Sequence, residues 1–161
     1  MTNPHLLDLL NEQYRREQTR LRTLIDQAKV TKQITPETVE AYAALHLKDD
    51  HGNPIIAAPH HKLWLHFMCD TNIRKLMIIA PYGSAKTTWM ISAYLGLHIG
   101  IHPLSANIIA CNASETAASR SMALKSAVES PDYRTTFPEL EIDFKRPYTQ
   151  EKWSLKPRNS V

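Results

Sequence analysis

The chain has 161 residues, of which 43% are hydrophobic, 22% are charged and four are glycine. This composition suits one globular domain and excludes collagen-like, low-complexity and fully disordered chains. The formal net charge of +3 permits contact with a polyanion without requiring it. Two widely separated cysteines argue against a disulfide framework, and no apolar stretch reaches the roughly 18 residues of a membrane span, so we expect a soluble, intracellular protein.

The first fifty residues predict two helices. Apolar residues recur every three or four positions over residues 5–30, which is the pattern of an amphipathic helix. Its arginines alternate with acidic residues, so we interpret this basic run as a solvated face. Thr35 as N-cap, Pro36 at the first helical position and Glu37 in the first turn start a second helix that ends near Lys48.

The clearest break in the chain is residues 49–54, which contain two acids, a glycine and Asn-Pro. There we place the boundary between a helical appendage, residues 1–50, and a main domain, residues 51–161. A third helix is predicted over residues 60–70, and its inner side is assigned to four apolar residues: Leu63, Trp64, Phe67 and Met68.

An apolar run of strand length, residues 76–80, leads into a short polar stretch that ends at Thr88. A helical pattern of apolar residues follows from Trp89 to Leu97. A strand, a tight loop and a helix in this order are the context of a phosphate-binding loop. Residues 80–88 are called the candidate loop below.

The candidate loop matches the pattern G-x-x-x-x-G-K-[ST] in part. Lys86 and Thr87 match, whereas Ala80 and Ala85 replace the two glycines. Backbone N–H groups of residues 83–88 at a helix N-terminus can surround phosphate oxygens, while Lys86 reaches the β and γ phosphates and Thr87 ligates Mg²⁺.

A plainer interpretation of the same residues stays open. The helix can simply follow a strand, with Lys86 exposed and with Ser84, Thr87 and Thr88 as caps. Under either interpretation, an alanine at position 85 adds about 1 kcal/mol of strain if its backbone adopts a glycine-only conformation.

Beyond the candidate loop, residues 107–111 predict a second buried strand, and Ser114 is the predicted cap of a helix that runs to about Val128. Alternating strands and helices imply a parallel sheet with right-handed crossovers. The predicted fold class is therefore α/β, with a P-loop NTPase-type parallel sheet, flanking helices and the helical N-terminal appendage.

A P-loop hydrolase also needs an acidic residue at the end of another buried strand. The acidic stretch 141–144 has no apolar run before it and is predicted as a surface turn or an edge strand. The alternation over residues 153–156 predicts a half-exposed strand. We therefore expect an incomplete sheet in a chain truncated before its acidic Walker B strand.

From about residue 59 to residue 158, the chain resembles the start of the ATPase domain of tailed-phage large terminases, the motors that pump DNA into viral capsids. The resemblance depends on the order and spacing of several segments: residues 58–61, 76–88, 96–100 and 108–114, Ala118, Arg120, residues 137–138 and residues 153–158. One departure is Tyr82, which stands near an Arg that many terminases use to sense the γ-phosphate. A tyrosine cannot supply that charge.

The resemblance implies the ATP-binding part of a viral DNA-packaging motor, which couples ATP hydrolysis to the translocation of duplex DNA. It implies ATP and Mg²⁺ as cofactors, Lys86 as the catalytic contact to the phosphates, Thr87 as the Mg²⁺ ligand and His61 near the adenine. The candidate nucleotide-binding residues are Tyr82, Gly83, Ser84, Ala85, Lys86, Thr87, Thr88 and His61.

The implied partners are duplex DNA, a small terminase subunit and the portal ring, with a homo-oligomer in the full motor and no membrane. The implied location is the cytoplasm of an infected bacterium, and transiently the procapsid portal. ATPase activity is expected of the full-length protein, whereas these 161 residues alone are expected to hydrolyse ATP poorly or not at all. Two alternatives stay open: a fragment of another, helicase-like P-loop NTPase, and a non-catalytic interaction module with residues 1–50 as a docking helix pair.

Overall fold

The structure, a computed structural model, describes residues 4–146 and 149–158. In chain order the described residues form α1 (Pro4–Thr31), α2 (Pro36–His46), α3 (Pro59–Cys69), a π-helical segment (Thr88–Leu95) that continues into α4 (Gly96–Ile101), α5 (Ser114–Glu129), α6 (Pro131–Thr136), β1 (Leu140–Ile142) and β2 (Leu155–Pro157). No helix in these ranges is long and apolar enough to cross a bilayer.

The two N-terminal helices confirm the sequence pattern. At the start of α2, the Thr35 hydroxyl accepts a hydrogen bond from the Thr38 N–H at 3.3 Å, and the Thr38 hydroxyl accepts one from the Thr35 N–H at 2.9 Å. Pro36 occupies the first helical position. This reciprocal capping satisfies two donors that the first turn of a helix leaves without partners, which fixes where α2 begins.

The helices of residues 1–50 share their core with the rest of the chain. The Lys29 amine donates to the Thr136 carbonyl at 2.7 Å, and the Lys32 amine donates to the Ile101 carbonyl at 3.1 Å. The largest fully buried side chains come from both predicted parts: Trp89, Tyr42, Tyr133, Phe137, Ile25, Leu65, Leu97, Ile101 and Val39. The domain boundary stays a prediction, but α1 and α2 are packed helices.

The inner side of α3 differs from the prediction. Leu63 and Phe67 are 54% and 40% exposed, whereas His61 and Leu65 are buried. Several apolar residues in α3 are consecutive, so the sequence offers more than one stripe, and packing against α2 selects the stripe that contains His61 and Leu65. The assignment of Leu63 and Phe67 to the inner side was therefore wrong.

The later helices agree in position and differ in detail. Helical backbone begins at Lys86, as expected, but residues 88–95 are wound as a π-helix. Ser114 is the first residue of α5 and not its cap, because Ala113 occupies the N-cap without a side-chain hydrogen bond. The predicted end of α5 near Val128 agrees with the observed end at Glu129.

The predicted parallel sheet is not formed by the described residues. Residues 76–80 and 107–111 carry no strand assignment, and Met77, Ile79 and Ile108 are 83%, 89% and 92% exposed. A central strand is stabilised by hydrogen bonds from neighbouring strands and by cover on both faces, and no described segment supplies these to either run. The prediction of two buried strands is therefore wrong for this structure, while the P-loop fold class stays a prediction.

The sheet that does form is small and antiparallel. β1 pairs with β2, so that Leu140 faces Pro157 and Ile142 faces Leu155. Residues 141 and 142 of the acidic stretch lie in β1, which is an edge strand, as the sequence predicted. Residues 155 and 156 of the alternating stretch lie in its partner β2, which also agrees with the prediction.

Candidate nucleotide-binding site

The backbone of the candidate loop turns sharply at Gly83 and Ala85. The φ angle is +80° at Gly83 and +53° at Ala85, whereas Ser84 and Lys86 keep negative values. In proteins, successive residues of right-handed and left-handed backbone can turn their N–H groups toward one side, an arrangement that binds anions. Ala85 adopts the left-handed conformation at a cost of about 1–2 kcal/mol, so the strain considered for this alanine is present.

The helix that starts behind this turn adds further donors. The Ala85 carbonyl accepts a hydrogen bond from the Trp89 N–H at 3.1 Å, which is the first bond of the helix. The helix therefore does not use the N–H groups of residues 86–88, and the positive end of its dipole lies at the candidate loop.

The Lys86 amine folds back onto the candidate loop. Its nitrogen lies 2.6 Å from the Ala80 carbonyl oxygen, 2.7 Å from the Pro81 carbonyl oxygen and 3.2 Å from the Ser84 hydroxyl. Lys86 is half-buried, so the plainer interpretation with an exposed lysine does not describe its side chain. Phosphate oxygens are stronger partners for an ammonium group than neutral carbonyls, because both partners are then charged.

The hydroxyl groups near the helix start do not behave as the plainer interpretation expects. The Ser84 hydroxyl donates to the Pro81 carbonyl at 2.8 Å, and Thr87 makes no side-chain cap bond. Thr87 is exposed, Thr88 begins the π-helical segment, and Tyr82 is fully exposed. The Thr87 hydroxyl is therefore accessible to an ion beside a bound phosphate.

His61 lies against the candidate loop from the side of α3. Its Nδ1 accepts a hydrogen bond from the Ala58 N–H at 3.1 Å, and its Nε2 is 3.0 Å from the Ser84 carbonyl oxygen. The ring is 7% exposed and stacks on Trp89 with the centroids 5.1 Å apart. Burial lowers the pKa of His61, against a smaller raising effect of the Ser84 hydrogen bond. The expectation of an adenine near His61 stays a prediction.

A cavity of about 780 Å³ lies elsewhere, between residues 103–109, α5 and residues 151–155. No residue of the candidate loop lines this cavity. The candidate site therefore consists of the candidate loop, the helix start and His61, and it does not include the cavity.

No metal cluster accompanies the site in the part of the chain that the structure describes, since no three His, Cys, Asp or Glu side chains come together there. A Mg²⁺ ion bound with ATP does not need such a cluster, because phosphate oxygens and the Thr87 hydroxyl are suitable hard ligands. The residues present therefore fit Mg²⁺ as a companion of the phosphates.

Sequence reasoning missed the contact between His61 and Ser84. A local signal was present, because a histidine at the third position of a helix can accept a hydrogen bond from the N-cap N–H, as His61 does from Ala58. The second contact, across 23 positions of sequence, has no local signal.

Comparisons of the chain with protein-family models, with curated proteins and with solved structures gave no match. The resemblance to the large terminases of tailed phages therefore rests on the order and spacing of the sequence segments alone.

Proposed function

We propose that the candidate loop binds the phosphates of ATP together with Mg²⁺, and that the chain is the ATP-binding part of a viral DNA-packaging motor of the large-terminase type. One observation carries the phosphate site: the backbone alternates in hand from Gly83 to Lys86, while the Lys86 amine is held on the carbonyls of Ala80 and Pro81.

Three features of the candidate loop favour an anion. The backbone turn at Gly83 and Ala85 can collect N–H groups, the helix start presents N–H groups that the helix does not use, and Lys86 adds a full positive charge. Bound phosphate oxygens would replace the Ala80 and Pro81 carbonyls as partners of the Lys86 amine.

Binding and hydrolysis make different demands. Hydrolysis by a P-loop enzyme needs an acidic residue that holds Mg²⁺ and a group that orients water, and the sequence offers no acid at the end of a buried strand. We therefore assign ATP binding to this chain, and we assign hydrolysis coupled to the translocation of duplex DNA to the full motor with its small subunit and portal ring.

Titration of the chain with ATP in the presence of Mg²⁺ tests the site. We expect Lys86→Ala to weaken binding by roughly 10- to 100-fold, because a hydrogen bond to a charged group contributes about 1.5–3 kcal/mol. Lys75→Ala is the matched control: it removes an exposed lysine of equal charge outside the candidate loop, and we expect it to bind as the wild type does. Equal binding by Lys86→Ala and the wild type would contradict the proposal.

A second candidate, the non-catalytic interaction module, is favoured by the exposed apolar side chains of residues 76–80 and 107–111. Exposed apolar patches mark interaction surfaces. The same titration separates the two functions, because the module predicts no binding of ATP by the wild type.

A further inference from the structure

The tautomer of His61 follows from its two hydrogen bonds. A backbone N–H can only donate, so Nδ1, which receives the Ala58 N–H, carries no proton. A carbonyl can only accept, so Nε2, which lies on the Ser84 carbonyl, carries the proton. His61 is therefore held neutral, and its ring links the start of α3 to the middle of the candidate loop.

The bond to Ser84 acts on the next residue through the peptide plane. In a trans peptide the C=O and the following N–H point in opposite directions, and the structure contains no cis peptide bond among the described residues. Since His61 holds the Ser84 carbonyl toward α3, the Ala85 N–H points to the opposite side. Ala85 is also the strained residue, at φ +53°, and such a conformation persists only where surrounding contacts enforce it.

We propose that His61 is a positioning residue for phosphate binding: by accepting from Ala58 and donating to Ser84, the neutral imidazole orients the Ser84–Ala85 peptide so that the Ala85 N–H faces the anion. The phosphate half of this inference rests on the proposed function, whereas the orientation of the peptide does not.

The surroundings of His61 keep this arrangement in one state near neutral pH. The ring stacks on Trp89 and touches the His60 ring, whose centroid is 3.9 Å away. His60, on the same helix, is the charged neighbour that lowers the pKa of His61 further, and Lys86 bonds the hydroxyl of Ser84, whose carbonyl His61 holds. Protonation would place a hydrogen on Nδ1 against the Ala58 N–H and would break that bond, while Nε2 would still donate to the Ser84 carbonyl. Acid should therefore detach the ring from the start of α3.

Three variants test the inference. His61→Phe keeps an aromatic ring against Trp89 and removes both hydrogen bonds. His61→Gln keeps one acceptor and one donor on a planar group. His60→Phe changes an exposed neighbour that makes no hydrogen bond to the candidate loop and serves as the control. Each is measured by thermal unfolding, by the amide NMR shifts of residues 83–86 without nucleotide, and by the affinity for ATP with Mg²⁺ at several pH values.

We expect His61→Phe to shift the amide signals of residues 83–86 and to weaken ATP binding by about tenfold, while His61→Gln and His60→Phe stay close to the wild type. We also expect the wild-type affinity to change with pH below the usual range of a histidine pKa more than that of His61→Gln, which does not titrate, because burial lowers the pKa of His61. A role of His61 in packing alone predicts that His61→Phe is tolerated and that His61→Gln is harmful. That result overturns the inference, as do a His61→Gln protein as impaired as His61→Phe and a His61→Phe protein with unchanged signals and affinity.

The outcomes separate this inference from the proposed function. Suppose that the wild type does not bind ATP, that His61→Phe shifts the amide signals of residues 83–86, and that His61→Gln keeps them as in the wild type. The role of His61 in orienting the Ser84–Ala85 peptide is then supported, and the ATP proposal fails. If His61→Phe does not fold, His61→Asn replaces it, since its shorter side chain reaches only one of the two partners. Wild-type amide signals in His61→Gln but not in His61→Asn then support the positioning role of His61. Equal signals in the two variants overturn it.

Discussion

At the scale of single residues, Ala85 is the most informative position. In residues 4–146 and 149–158, two non-glycine residues have positive φ, Lys32 and Ala85. Lys32 directly follows the last residue of α1, where a left-handed residue often ends a helix. Ala85 instead stands before a helix start, between a serine and a lysine whose side chains bond the candidate loop. We infer that its strain belongs to the proposed phosphate site.

Two substitutions in the candidate loop should have opposite effects on stability. Ala85→Gly relieves the left-handed strain of the folded chain, and the greater entropy of glycine in the unfolded chain offsets part of this gain. The free energy of unfolding should therefore rise by up to about 1 kcal/mol. Gly83→Ala should lower it by about 1 kcal/mol, for backbone reasons alone, because an added Cβ meets no atom within 4 Å. Urea unfolding of both variants checks this; a stabilised Gly83→Ala would show that the turn has another shape.

At the scale of elements, α4 depends on two glycines at close helix contacts. A Cβ at Gly100 would overlap Cζ of Phe137, and a Cβ at Gly96 would lie 2.8 Å from the Tyr42 hydroxyl oxygen. The Tyr133 hydroxyl donates to the Gly96 carbonyl at 3.2 Å, which ties α6 to the same turn. Glycine here permits α4 to approach its neighbours more closely than any other residue would.

Gly100→Ala should destabilise the protein by about 2 kcal/mol, because overpacking a core costs about 1–3 kcal/mol. Three atoms of the fully buried Phe137 ring lie within 2.7 Å of the added carbon, so the ring as a whole must move. Gly96→Ala should cost less, since its closest contact is the terminal oxygen of a tyrosine. Both variants share the helix gain of alanine over glycine, about 1 kcal/mol, so this gain does not affect their order. Thermal and urea unfolding of both variants measure the difference; the reverse order would contradict the packing.

The elements also show which patterns of sequence were informative. The bounds of α1 and α2 followed from local signals, namely apolar spacing and the Thr35 cap with Pro36. The runs 76–80 and 107–111 carry the composition of buried strands, but no residue in either run is buried and most are exposed. A helix closes its own hydrogen bonds, whereas a strand needs a partner, and the identity of that partner is not written in the strand itself.

At the scale of the whole molecule, His46 joins the N-terminal helices to α6. Its Nε2 is 2.9 Å from the Thr136 hydroxyl, and its ring packs on Tyr42 with the centroids 4.6 Å apart. Burial lowers the pKa of His46 from 6.5 to about 4 and outweighs the raising effect of Asp132. Arg22 and Lys48 add smaller lowering effects. The contact between the two parts of the chain therefore favours a neutral imidazole.

Acid should weaken the whole fold through this residue. The unfolded chain takes up the proton near pH 6.5 and the folded chain only near about 4, so the stability that His46 contributes is complete above pH 6.5 and is lost as the pH falls toward 4. The full loss is on the order of 3 kcal/mol. Urea unfolding at neutral and at mildly acidic pH should show a smaller pH effect in His46→Gln than in the wild type. His51→Gln, at an exposed position, is the control, and an unchanged pH effect in His46→Gln would contradict the assignment.

The sequence by itself determined α1, α2, α3, α5, the helix after the candidate loop and the break near residue 50, because caps, apolar spacing and short motifs act between residues that are neighbours in the chain. It did not predict α6. Only the tertiary structure decided which face of α3 is buried, that α1 and α2 share the core, and that His61 supports Ser84. These features depend on contacts between distant segments. Which distant segments come into contact depends on how all the packed surfaces fit together, and no short stretch of sequence contains that information.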